Sequence, residues 1–244
     1  MKPTMFNKLL AALTLTVAAA LPAHAGPVIN FDAGLDTSFS PFAPLLTHTD
    51  SIVQGDFFVS MFSTKAGAAL GDLVGSLVDG ADSAGACIGL ICPANGTQFL
   101  AALNDGLPDI GRLGGGYFRM QSFDASFIAA SGNAVPAISM ILRIEGYDGN
   151  TLAFIQDFFL PGPVANAYSF STYALSALNA GIDVTEIAFR GFSCNAAGSC
   201  TRTLDQAQFA LDNISFVPEP GSLALFGVAL AGLAVVRRRR IAQI

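Results

Sequence analysis

The 244-residue chain has no tryptophan, two histidines and four cysteines, and only 12% of its residues are charged. Each shortage removes a class of function. His24 sits inside a signal-cleavage pattern and leaves with it, so His48 is the one histidine of the mature chain. It stands in Thr47-His48-Thr49-Asp50 without a G-x-S-x-G elbow to serve, since Ala81-Asp82-Ser83-Ala84-Gly85 departs from that pattern at its first residue. Gly114-Gly115-Gly116 has no following Lys-Ser/Thr, so it reads as a turn and not as a phosphate loop. A glycosidase needs two carboxylates at a set separation; with fifteen Asp and three Glu, such pairs arise by chance and none stands out. Sugar sites favour large aromatic platforms, and here only Tyr117, Tyr147, Tyr168 and Tyr173 accompany twenty phenylalanines that suit a core. Long helical patterns are also missing.

The two ends of the chain carry the strongest signals. Lys2 and Lys8 precede and open an apolar run of thirteen residues, Leu9 to Leu21. Pro22 and the small-x-small triplet Ala23-His24-Ala25 follow, which is the layout of a secretory signal peptide over residues 1–25, cut by signal peptidase to leave Gly26 first. The run is too short for a stable span, which needs about 20 residues. At the other end, Val217-Pro218-Glu219-Pro220-Gly221 is a rigid, helix-breaking joint. Residues 222–236 are then apolar throughout, and Arg237, Arg238, Arg239 and Arg240 form a basic stop expected to stay in the cytoplasm. A helix of fifteen residues reaches about 22 Å, short of the roughly 30 Å hydrocarbon core, so the segment suits a transient transmembrane stop.

This order of parts, joint, apolar segment and arginine block, resembles the PEP-CTERM sorting domain of Gram-negative bacteria. The resemblance implies recognition by an exosortase of the inner membrane, removal of the tail 217–244, and delivery to the cell surface or extracellular exopolysaccharide. Glu219 and its flanking prolines would be the recognition element. An apolar tail that holds a substrate for processing and is absent from the product works as a GPI signal does.

Residues 26–216 remain as one domain by size. Lys2, Lys8 and the four terminal arginines make up half of the twelve basic residues, leaving six against seventeen acidic ones, since Glu219 of the eighteen lies in the tail. So acidic a domain does not bind nucleic acid by charge. An exported chain meets an oxidising compartment, so Cys87, Cys92, Cys194 and Cys200 are expected as disulfides. Of three connectivities, 87–92 with 194–200 closes only two short loops; a four-cysteine zinc site is the alternative, and neither pair has C-x₂-C spacing.

Within the domain, strand-like runs alternate with Gly, Pro and Asn breaks: 28–32, 54–62, 117–129, 137–147, 151–160, 167–173, 184–192 and 208–217. Asp148-Gly149-Asn150 marks a hairpin. In the run from Tyr117, the residues Phe118, Met120, Ser122, Asp124 and Ser126 are expected on one side. Eight or so short strands predict an all-β, antiparallel β-sandwich of jelly-roll type. Residues 64–112, rich in Gly, Ala and Asp, are expected as a long excursion, with a weak helix over 68–78 and short strands near 97–103.

The interior is similar to a group of PEP-CTERM proteins that end in Q-F-x-x-D before the tail, through Gln208-Phe209-Ala210-Leu211-Asp212. Asn95-Gly96-Thr97, Leu103-Asn104-Asp105-Gly106 and Ser122-Phe123-Asp124-Ala125-Ser126-Phe127 recur in such sandwiches. The resemblance brings no catalytic activity. Asp32 ends the first strand and Asp212 lies in the last. Neighbouring first and last strands would join these carboxylates with loop carbonyls as a structural Ca²⁺ site, as in carbohydrate-binding and MAM-type sandwiches; otherwise Asp212 hydrogen-bonds a turn near a strand end. The expected protein is therefore exported, non-catalytic and exosortase-sorted, part of the surface or biofilm matrix and associated with exopolysaccharide. The alternative is a carbohydrate-binding or carbohydrate-active sandwich module.

Overall fold

The structure is a computed structural model that describes residues 26–83, 87, 89–130, 138–165, 167–195, 197–201 and 207–217. The expected signal helix over 1–25 and transmembrane helix over 222–236 lie outside them. Among the described residues no helix is long and apolar enough to cross a membrane.

The chain forms short strands first: β1 (Val28–Ile29), β2 (Leu35–Asp36), β3 (Leu45–Thr47) and β4 (Ser51–Gln54). Then come β5 (Phe57–Ser63), β6 (Leu73–Asp79), β7 (Leu90–Ile91), β8 (Gln98–Ala102) and β9 (Gly106–Arg112). The longest are β10 (Met120–Ala130), β11 (Ile138–Asp148) and β12 (Thr151–Pro161); β13 (Ser171–Ala174), β14 (Glu186–Cys194), β15 (Cys200–Thr201) and β16 (Gln208–Phe216) complete the set. A 3₁₀ turn covers Asn179–Gly181. The architecture is all-β and antiparallel, as the alternating pattern leads one to expect.

Two sheets stack. The first has the order β13-β10-β16-β8-β6-β3, with β1 also on β16 and β7 on β10. The second has the order β12-β11-β14-β9-β5-β4-β2, with β15 on β14. Between them lies the main core, including Phe31, Phe57, Phe123, Phe189, Phe209 and Phe216. Residues Pro27–Val217 hold together as one unit.

Two expectations are corrected. Residues 64–112 are no excursion: β6 and β8 are inner strands of the first sheet, and β9 joins β5 to β14 in the second. The expected helix over 68–78 is instead β6 from Leu73 onward, where Gly75 lets Met61 and the Ala101 carbonyl approach so closely that a Cβ would clash with both. The second correction concerns β10. Phe118 and Met120 enter the core, but register shifts flank Ser122, after which Phe123, Ala125 and Phe127 enter it instead. An extra residue in a ladder reverses the facing of every side chain beyond it.

Candidate functional site

The bulge that β10 meets in β16 builds a tightly hydrogen-bonded polar spot. Ser122 pairs with Ser215 and Asp124 with Asp212, so β16 spends one more residue than β10. Asn213 takes up the excess at φ 47°, a left-handed conformation that Asn tolerates better than most residues. Its N–H donates to Asp212 Oδ1 at 2.7 Å. Its side-chain amide donates to Asp124 Oδ2 at 2.9 Å, and the Thr172 hydroxyl donates to Asp124 Oδ1 at 2.5 Å.

Asp212 is 1% exposed. Its Oδ2 accepts from Asn95 Nδ2 at 2.7 Å and from Thr97 Oγ1 at 3.2 Å. Burial pushes its pKa up to about 6, with repulsion from Asp32 adding to the rise and the Asn213, Thr97 and Asn95 donors opposing it. Gly80 lies against the Asn95–Thr97 turn so tightly that a Cβ would strike Asn95 Oδ1 and the Thr97 carbonyl. Asp32 arrives because β1 pairs antiparallel with β16, Val28 opposite Ser215 and Ile29 opposite Ile214. Its Oδ1 accepts from the Gln98 N–H at 2.8 Å.

The first and last strands thus adjoin and bring Asp32 near Asp212, but the donor set is not that of a calcium cage. Calcium takes six to eight hard oxygens, whereas the Asp212 oxygens face N–H and O–H donors that a cation would have to displace. No group of three or more His, Cys, Asp or Glu side chains suited to a metal occurs among the described residues. The arrangement is a latch: one buried carboxylate ties β16 to the 95–97 turn, and Asp32 ties the chain after β1 to β8. Three short motifs that look unrelated in the sequence, around Asn95, Asp124 and Asp212, meet here. Their meeting depends on strand order, which no local pattern contains.

The outer face of the second sheet is the other polar region. Arg143 grips Asp157 with two bonds of 2.7 and 2.9 Å and lies 5.0 Å over the Phe192 ring. Arg190 donates to Glu145 Oε2 at 2.6 Å, and Tyr147 reaches the same oxygen at 2.6 Å. Burial would raise the Glu145 pKa, but these two donors outweigh it and leave the carboxyl below its ordinary value. Asp109, opposite Ala188 in the ladder, meets Glu186. Burial, a shared hydrogen bond with Glu186 and repulsion from it push Asp109 up to about 8, with Arg190 opposing. Asp109 Oδ1 is buried without a hydrogen-bond partner. Half-buried Phe58 and Phe62 of β5 border this face.

His48 is structural: its Nδ1 accepts the Ser63 N–H at 2.9 Å and its ring meets Phe62 edge-on. Cys87 is bonded to Cys92 and Cys194 to Cys200, with Cα separations of 6.1 and 3.9 Å. Of the expected sorting and cleavage residues, Gly26 and Val217 are described, and Val217 donates its N–H to the Arg119 carbonyl at 2.9 Å. Ala23, Ala25, Pro218, Glu219, Pro220, Gly221 and Arg237 to Arg240 lie outside the described residues.

No curated protein matches the chain in sequence. Among solved structures it is similar to a DUF4465 family protein from Bacteroides caccae, at 12% identity and a TM-score of 0.44, over 82% of this chain and 96% of that one. It is also similar to the CBM22-2 xylan-binding domain of Paenibacillus barcinonensis Xyn10C, at 13% identity and a TM-score of 0.36, over 79% and 99%. A third is TmCBM61, solved with β-1,4-galactotriose, at 11% identity and a TM-score of 0.33, over 67% and 88%. Residues 216–240 match the PEP-CTERM protein-sorting motif, and the chain is therefore a PEP-CTERM domain-containing protein.

Proposed function

We propose that this is an exported, non-catalytic surface or extracellular-matrix protein, delivered by exosortase processing of its tail and associated with exopolysaccharide. The observation that carries the reading is the sorting motif at 216–240, joined directly to an all-β sandwich with two disulfides. Signal peptidase acts first, after Ala25. The inner membrane holds residues 222–236 transiently, and the sandwich, of jelly-roll winding, is the delivered product. Fractionation with immunoblotting tests this. Deleting residues 222–244 should give free periplasmic protein, while Glu219→Ala or Pro220→Ala should leave an unprocessed inner-membrane form. Point variants processed and placed like the wild type would sink the sorting reading.

Calcium has no part in this reading, because donors already occupy the Asp212 oxygens. The thermal midpoint of the mature domain should be the same in EDTA and in millimolar Ca²⁺. A rise of several degrees with Ca²⁺ would restore Asp32 and Asp212 as a cation site.

A second reading, a carbohydrate-binding module, is favoured by the outer face of the second sheet. Its arginines are held in place by ion pairs and sit among half-buried phenylalanine rings. Fixed donors and acceptors beside apolar rings suit a polyhydroxylated ligand. Glycan-array binding by the wild type that Arg190→Ala abolishes would support it; an array without signal would remove it.

A further inference from the structure

The sorting motif and the folded domain share residues. The motif begins at residue 216, whereas β16 runs to Phe216. Phe216 is 1% exposed, stacked on Phe57 at 4.0 Å and edge-on to Phe118 at 5.5 Å. Its N–H donates to the Pro27 carbonyl at 3.0 Å, one residue past the expected mature N-terminus, and the next N–H, of Val217, donates to the Arg119 carbonyl. Arg119 is itself fixed to Asp183 by two bonds of 2.7 and 3.0 Å. Only Pro218, Glu219, Pro220 and Gly221 then lie between Val217, the last described residue, and the apolar run. Four residues reach at most about 14 Å.

Resting on the exosortase reading, we propose that Phe216 and Val217 are positioning residues for processing, which tie the first two residues of the motif into the sandwich and make release of this strand end the slow step. The enzyme must take up an extended stretch of its substrate, and the stretch next to Pro218 is already engaged. Its N–H groups are bonded to Pro27 and Arg119, and its one large side chain is buried among two other rings. Strand ends open locally far more often than whole domains. When such opening precedes cleavage and closes again quickly, the cleavage rate follows the open population. A chain with slack after Val217 does not wait for that opening.

Pulse–chase labelling of the full-length protein in the producing bacterium tests this. Inserting ten Gly/Ser residues followed by a second Phe-Val between Val217 and Pro218 leaves every sandwich residue in place, keeps the motif of residues 216–240 unbroken behind the linker, and should shorten the processing half-time at least threefold. Phe216→Ala should shorten it similarly, and Phe216→Leu, which refills the site with an apolar side chain, should return it toward wild type. Formation of both disulfides and protease resistance of the sandwich report folding in each strain. Half-times unchanged or lengthened by the linker overturn the proposal, and they do so whatever Phe216→Ala does to folding. Glu219→Ala placed in the linker background separates the two claims. If that chain stays uncut, the sorting reading stands and the linker result alone decides the clamp; if it is cut normally, the sorting reading itself fails.

Discussion

The two sheets share one core but treat their outer faces differently. The first is covered on that side too: Val78, Phe99, Ala101, Ile128 and Ala210 form a second buried cluster under Cys87, Leu90, Cys92 and Phe170. The second sheet leaves its outer face to ion pairs, with Arg143–Asp157 partly in water, Arg190–Glu145 largely covered and Phe159 of β12 61% exposed. Each sheet holds one disulfide and one carboxyl with a raised pKa. Asp212 of the first is surrounded by donors and rises only to about 6; Asp109 of the second faces another carboxyl and rises to about 8. Burial is the largest cause of both rises; donors oppose it at Asp212, whereas at Asp109 a second carboxyl adds to it.

The sharpest way to break this contrast is to remove the latch. Asp212→Ala strips a partner from Asn95, Thr97 and the Asn213 N–H, and should cost roughly 3 kcal/mol in urea denaturation of the mature domain at pH 4, about 1 per lost bond. It should cost less at pH 7, where it also removes the penalty of an ionised carboxyl with a raised pKa. A cost below about 1 at pH 4 would mean that the donors turn to water and the latch is slack.

The disulfides compare the two sheets directly. Both close short loops, worth about 2 kcal/mol each through the unfolded state. Replacing Cys194 and Cys200 together by Ser should cost about that. Replacing Cys87 and Cys92 should cost about 3, because Cys87 is also part of the cover over the first sheet. Equal losses would show that this cover adds nothing.

The acids separate by pH. A carboxyl whose folded pKa is raised contributes no penalty below its unfolded value near 3.8, and costs stability as pH climbs from there to its folded pKa. Between pH 4 and 6 both Asp212 and Asp109 lower the stability; between 6 and 8 Asp109 alone does. Asp109→Asn should therefore flatten the loss from pH 6 to 8 by about 2 kcal/mol, at no more than ~1.4 per unit, and roughly halve the slope between 4 and 6, where Asp212 alone then remains. An unaltered slope from 6 to 8 would show that Asp109 does not hold its proton there.

The smallest effect belongs to the open face. Arg143→Ala should cost only about 0.5 kcal/mol, since its pair with Asp157 is partly in water. A loss above 2 would mean that this face is better sealed than its exposure indicates.

The same contrast explains how far the sequence could be read. β5 and β12 alternate buried and open positions, and their runs announce strands. β8 does not, because Phe99, Leu100, Ala101 and Ala102 are all buried, two facing each way. β6 is similarly apolar on both faces and is interrupted by Gly75. A strand covered on both sides loses the period that marks a strand, and so residues 64–112 looked like an excursion. β10 was legible as a strand but not in its facing, since the register shifts around Ser122 come from pairing with β16.

By itself the sequence determined the matters that are local or covalent: the sorting motif, the all-β class, and cysteine pairs close enough to join within short loops. These rest on composition, period and spacing along the chain. Only the tertiary structure decided which strands lie inside, where the register shifts, and which donors meet Asp212. Asn95, Thr97 and Asp124 reach the middle of β16 from more than eighty residues away, through strand order. It also decided that the chain's first and last strands close on each other, Val28 against Ser215. Such pairings are fixed by burying both sheets at once in one core, a condition on the whole chain that no segment carries alone.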